Sequence, residues 1–61
     1  MNLPLGATEE DFKTCRQIIS ELTGAPVSTE TVLNLLNIIY AKGGGYSEET
    51  LRSFAEGYLK T

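Results

Sequence analysis

The chain has 61 residues, with eight acidic and five basic side chains and a formal net charge of −3. This length allows one domain at most, with a thin core. The mild acidity argues against binding to nucleic acid or to an anionic membrane. A single cysteine, Cys15, excludes a disulfide within the chain, and one thiol without any histidine cannot build a zinc site.

The sequence also contains no targeting or membrane signal that we can identify. Its longest apolar run is far too short to span a bilayer. The first residues lack the basic and apolar regions of a signal peptide. Together with the free thiol, these features predict a cytoplasmic protein that does not bind membranes.

Three helix starts are indicated by one pattern: an apolar residue, a hydroxyl residue, three polar residues including glutamate, and an apolar residue. The pattern occurs at 7–12, 27–32 and 46–51. The hydroxyl of Thr8, Ser28 or Ser47 can accept a hydrogen bond from a free amide in the first helical turn. The acidic residues that follow interact favourably with the positive end of the helix dipole.

Glycine marks the helix ends. Gly24, with Pro26 just behind it, ends the first helix, and a run of three glycines ends the second as a flexible stop. The predicted helices therefore lie near 9–23, 29–42 and 48–60. The predicted fold is all-α, a three-helix bundle or an orthogonal three-helix array, in a single domain of residues 1–61.

Residues 1–7 are predicted to form an extended segment ahead of the first helix, because Pro4 disfavours helix for the residue before it. Leu3 and Leu5 make this segment apolar. Two placements are open: the segment folds back as a lid over the small core, or it docks on another molecule. We expect the lid.

The first and third helices are predicted to be amphipathic, and the second is apolar over more than half of its circumference. The apolar stripe of the first helix is Phe12, Cys15, Ile18, Ile19 and Leu22. That of the third helix is Leu51, Phe54, Ala55, Tyr58 and Leu59. Cys15 lies within its stripe, which predicts a small core residue rather than a reactive thiol.

Gly57 interrupts the third helix, and we expect close packing against a neighbouring helix there, with approach of a partner as the alternative. On the second helix, Ile38 either contacts another molecule or packs under the third helix.

No set of residues predicts catalysis, a metal site or a cofactor. Nucleophilic catalysis needs a base beside the nucleophile, and the chain has no histidine. The adjacent carboxylates at 9–11 and 48–49 lie at helix starts, where the helix dipole and solvent keep them charged. The triglycine run follows a helix and lacks the lysine and hydroxyl residue of a phosphate loop. We therefore expect no enzyme activity and no cofactor.

Residues 22–37 resemble a helix-turn-helix DNA reader. Such modules often carry Gly-Val-Ser, two variable residues and Thr-Val at the start of the recognition helix. Here Val27-Ser28 and Thr31-Val32 match, while Ala25 and Pro26 lengthen the turn after Gly24. The resemblance implies that the helix at 29–42 faces the DNA groove through Thr29, Glu30, Leu33, Asn34 and Asn37.

The function that we predict is a small non-catalytic protein–protein interaction module, an accessory subunit or a modulator of a larger partner. Its partner is another protein or a second copy of itself. A DNA-binding regulator that uses the helix at 29–42 is the alternative, although nucleic acid is not the expected partner. The predicted partner-facing residues are Asn34, Asn37, Ile38 and Tyr46.

Overall fold

The chain folds into three α-helices in the computed structural model, which describes residues 3–60. The helices are α1 (Glu9–Thr23), α2 (Thr29–Ala41) and α3 (Glu48–Leu59). Each helix contacts the other two, so the fold is a three-helix bundle. This confirms the predicted fold class, and every boundary lies within one residue of its prediction. Residues 1–2 of the predicted N-terminal segment lie outside the described residues.

All three predicted hydroxyl caps are formed. Thr8 Oγ1 accepts a hydrogen bond from the Asp11 amide at 3.2 Å, and Asp11 Oδ2 accepts one from the Thr8 amide at 3.0 Å. This reciprocal pair is a capping box. Ser28 Oγ and Ser47 Oγ each accept from the amide three residues later, both at 3.2 Å. Each cap is worth about 1 kcal/mol, a large contribution for a domain with a small core.

Left-handed glycines end α1 and α2. Gly24 has φ 74°, and its amide donates to a carbonyl of the last turn of α1 at 2.7 Å. Gly43 has φ 76°. The Gly43 and Gly44 amides donate to the carbonyls of Tyr40 and Ile39 at 3.0 and 3.1 Å, which is the bond pair of a Schellman motif. The triglycine run, predicted as a flexible stop, therefore begins with a defined, hydrogen-bonded turn.

The core lies between the three helices, and α1 and α2 contribute four buried residues each. Its fully or nearly fully buried members are Phe12, Cys15, Ile18 and Ile19 from α1, Val32, Leu35, Leu36 and Ile39 from α2, and Leu51 and Ala55 from α3. Two residues predicted to face the core, Leu22 and Leu59, are instead more than one-third exposed. Both lie near the C-terminal ends of their helices and border one shallow depression. Their assignment to the core rested on helical periodicity alone.

The N-terminal segment folds back onto the bundle. Leu3 packs against the core, and the Ala7 amide donates to the Pro4 carbonyl at 3.1 Å, which closes a turn. Gly6 in that turn has φ 89°. The Leu5 side chain points away and is 79% exposed. Within the described residues the segment is thus a short lid whose contact with the core is made by one leucine.

Cys15 is fully buried in the core, and burial raises the pKa of its thiol from 9.0 to about 11. The folded chain therefore holds the proton more tightly than the unfolded chain. The stability that this contributes is complete below pH 9 and is lost as the pH rises toward about 11. We expect the free energy of unfolding to fall by about 1 kcal/mol per pH unit across that window.

Urea denaturation at a series of pH values measures this loss, with Cys15→Ala as the control. The variant keeps every other titrating group, so the difference between the two proteins isolates the thiol. A constant difference in unfolding free energy between pH 8 and about 11 would contradict the expected linkage.

Candidate interaction surface

An open apolar groove runs between α2 and α3, the helix pair with the smallest mutual contact. It holds about 640 Å³. It is lined by Leu35, Ile38 and Lys42 from α2 and by Ser53, Phe54, Gly57 and Tyr58 from α3. Ile38, the predicted partner-facing isoleucine, is 36% exposed on one wall. It lies alongside α3 without being fully covered by it, so the prediction that it packs under the third helix is confirmed only in part.

Gly57 forms a notch in the α3 wall of the groove. A Cβ atom built on Gly57 meets no atom within 4 Å beyond its own turn of helix. The expectation of close packing at this glycine is therefore wrong for the described residues. Its backbone is helical, so neither a positive φ nor a close neighbour requires glycine at this position. The residue leaves the backbone of α3 open to close approach from outside.

Two aromatic side chains form the apolar floor of the groove. Phe54 and Tyr58 are partly buried and pack against the core on one side, while the groove exposes their other side. Gly44 brings the loop after α2 against Phe54, since a Cβ on Gly44 lies 3.5 Å from Phe54 Cε1. The floor is thus fixed from below by the core and at one end by the loop.

Lys42 lies at the end of the groove, where α2 ends and the loop to α3 begins. It is the C-cap residue of α2 and the only charged residue among the described residues that line the groove. The ion pairs found among residues 3–60 both involve Arg52, which lies 3.9 Å from Glu21 and 3.8 Å from Glu48. The Lys42 ammonium therefore has no carboxylate partner within the described chain.

Asn34 and Asn37 lie on the outer face of α2 beside Ile38, and both are exposed. Asn37 Nδ2 donates to the Leu33 carbonyl at 2.8 Å, one turn earlier in the same helix. Three of the four predicted partner-facing residues are therefore neighbours on α2. Ile38 borders the groove, and the two asparagines stand next to it on the solvent side.

Tyr46 belongs to a different part of the surface. Its hydroxyl donates to the Leu5 carbonyl at 3.3 Å, and its ring lies 3.7 Å from a Cβ built on Gly6. Partial desolvation, and then the nearby Tyr40 and Asp11 side chains, raise the pKa of the Tyr46 phenol. These contacts give Tyr46 a place in holding the N-terminal lid, away from the residues that line the groove.

Sequence reasoning did not assign Phe54, Tyr58 or Lys42 to the binding surface, and it gave approach of a partner at Gly57 only as the alternative to close packing. The two aromatic residues fit the core stripe of α3, because a residue at the edge of a stripe can face both core and solvent. Gly57 was the one signal in the sequence, since glycine inside a helix destabilises it by about 1 kcal/mol relative to alanine.

A second open depression, lined by Lys13, Arg16, Gln17, Ser20, Glu21, Gly24, Pro26 and Val27, has a mixed polar lining. It carries charges of both signs and no buried polar group. Within residues 3–60, no three His, Cys, Asp or Glu side chains are placed to share a metal ion. None of the described helices is long and apolar enough to cross a membrane.

Comparisons with protein-family models, with curated proteins and with solved structures give no match to this chain. The assignment of function therefore rests on the chain's own side chains. Among the surfaces formed by residues 3–60, the α2–α3 groove combines an apolar floor, an open backbone at Gly57 and a lysine without an ion-pair partner.

Proposed function

We propose that this chain is a small non-catalytic protein–protein interaction module that binds a helix of another protein in the α2–α3 groove. The observation that carries the proposal is the open notch at Gly57 beside the exposed flank of Ile38. An amphipathic helix laid into an apolar groove is a recurring mode of peptide recognition. The free thiol of Cys15 supports the cytoplasm as the place where the module acts.

The shape of the groove favours a helix as the occupant. Two helices that diverge along one side leave a channel into which a third can pack, ridges against grooves, at about 8–10 Å between axes. Close approach needs a small residue at the contact, and Gly57 provides one with Ser53 one turn earlier. A helix seated there would cover Ile38 together with the groove-facing sides of Phe54 and Tyr58.

DNA is a weaker candidate for the outer face of α2. Asn34 and Asn37 are exposed there, as a recognition helix would require. However, no lysine or arginine occurs between Thr29 and Ala41, and phosphate contacts supply much of the affinity of DNA readers. We therefore place the function in the groove rather than on the outer face.

Selection of helical peptides from a displayed library tests the proposal. We expect the wild-type chain to enrich peptides with apolar residues at i, i+3, i+4 and i+7. Ile38→Asp places a charge on the groove wall, and we expect it to weaken binding of the enriched peptides at least tenfold, because a desolvated, unpaired charge is costly. Fluorescence anisotropy with labelled peptides measures the loss.

Leu22→Asp is the matched control, since Leu22 is 40% exposed and borders a different depression. It introduces the same charge on a similarly exposed leucine, and we expect peptide binding to survive it. Circular dichroism first establishes that both variants fold. Equal loss of binding in both variants, or no enrichment above a scrambled library, would overturn the proposed function.

A further inference from the structure

We propose that the helix accepted by the groove is acidic at one end: an apolar stripe flanked by a carboxylate that pairs with Lys42. This inference rests on the proposed function and adds the chemistry of the partner. It follows from the one charge that the groove presents and from the position of that charge along it.

The charges around the groove favour an acidic occupant. Lys42 is the only charged residue of the lining, and the described chain offers it no ion-pair partner. Arg52, by contrast, lies between Glu21 and Glu48 on another side of the bundle. An apolar helix without a carboxylate would leave the Lys42 ammonium at the edge of the interface unpaired, which a matched carboxylate avoids.

The position of Lys42 sets where that carboxylate falls. Lys42 is the last residue before the Gly43 turn, so it marks the end of the groove next to the α2–α3 loop. Ile38 lies one turn earlier on the same helix and shares the groove with Gly57. A bound helix therefore places its apolar residues against Ile38 and Gly57 and its acidic residue at one end of the stripe.

A second copy of this chain is a poorer occupant. In a twofold dimer both partners contribute the same surface. The residues that line the groove include no aspartate or glutamate, so groove-to-groove pairing would bring two lysines and no carboxylate. The net charge of −3 on each copy adds a further mild repulsion. A foreign acidic helix avoids the first difficulty, because its carboxylate meets Lys42 instead of a second lysine.

Designed peptides test this chemistry. Each is an acetylated and amidated helix of about 18 residues with one leucine stripe. One peptide carries a single Glu beside the N-terminal end of the stripe and another beside its C-terminal end. Gln and Lys versions of each complete the set. Dissociation constants are measured at low ionic strength for wild type, Lys42→Glu and Lys13→Glu, the last a charge-matched control on α1.

We expect one Glu peptide to bind wild type about two- to fivefold more tightly than its Gln version, the range that an exposed ion pair supports. Lys42→Glu should invert the preference toward the Lys peptide, whereas Lys13→Glu should leave the Glu-to-Gln ratio unchanged. High salt should reduce the ratio toward one.

The possible failures are distinguishable. If all peptides bind with equal affinity and Ile38→Asp weakens the binding of each, the proposal of an acidic partner is wrong. The proposed interaction module is then still supported. If no peptide binds wild type, or if Ile38→Asp binds the peptides as well as wild type does, the proposed function is wrong. The inference of an acidic partner is then wrong as well, because it rests on that function. If sedimentation shows a wild-type dimer that Ile38→Asp dissociates, the occupant is a second copy, which also overturns the acidic partner.

Discussion

Leu36→Ala is expected to leave most of the chain unfolded at 25 °C. Leu36 is fully buried in the core. Truncation of a buried leucine to alanine destabilises a protein by about 2–5 kcal/mol. A single core of this size supplies roughly 3–5 kcal/mol in total, and the described chain contains no disulfide or metal cluster to add to it. One deletion therefore removes most of the available stability.

Two measurements report the loss. Circular dichroism follows the helices, and labelling of Cys15 with a thiol reagent follows the core, because that thiol is fully buried in the folded chain. Leu5→Ala makes the same chemical change at a residue that is 79% exposed, and it should shift the unfolding free energy by less than about 0.5 kcal/mol. A cooperative thermal transition for Leu36→Ala close to that of wild type would show that the core is stronger than its size suggests.

The helices could be predicted from the sequence because their signals are local. Thr8, Ser28 and Ser47 need only the amide three residues ahead, and Gly24 needs only the last turn of its own helix. Such interactions depend on neighbouring residues in the chain and not on the tertiary fold. They predicted the ends of the three helices to within one residue.

The binding surface was only partly predictable, because it depends on how the helices lie against each other. Periodicity identifies the apolar side of a helix, but it does not say where along the helix a neighbour covers it. Leu22 and Leu59 are therefore exposed despite fitting their stripes, and Ile38 is left half-covered. Tyr46 was predicted to face the partner together with Ile38, whereas a hydrogen bond across 41 residues joins its hydroxyl to the Leu5 carbonyl.

The presence of glycine at position 57 has to be judged from both its helical conformation and its tertiary surroundings. Within residues 3–60, nothing explains a glycine there, since it has a helical backbone and an empty space beside it. Its cost in helix stability is about 1 kcal/mol, a substantial share of what a domain this small possesses. A residue that lowers the stability of the free chain and opens the α2–α3 groove is expected where a surface is used to bind a partner and not to stabilise the fold.

This view predicts opposite effects of filling the notch on stability and on binding. Gly57→Ala should raise the unfolding free energy by about 1 kcal/mol and the melting temperature by roughly 4–8 °C. Gly57→Leu should also gain helix stability, but its side chain would extend into the groove. We expect it to weaken the binding of stripe peptides by at least tenfold, since forcing extra atoms into a contact surface costs about 1–3 kcal/mol.

Calorimetry and peptide anisotropy on the same preparations measure both effects. Gly24→Ala serves as the opposite control, because Gly24 has φ 74° and any side chain there is strained, so its melting temperature should fall. If Gly57→Leu melts higher than wild type yet binds peptides equally well, the notch is not part of the binding surface. If both Gly57 variants melt lower, the empty space beside Gly57 is occupied in solution, and the glycine is a packing residue after all. A rise in stability joined to a loss of binding is the result that a groove kept open for a partner requires.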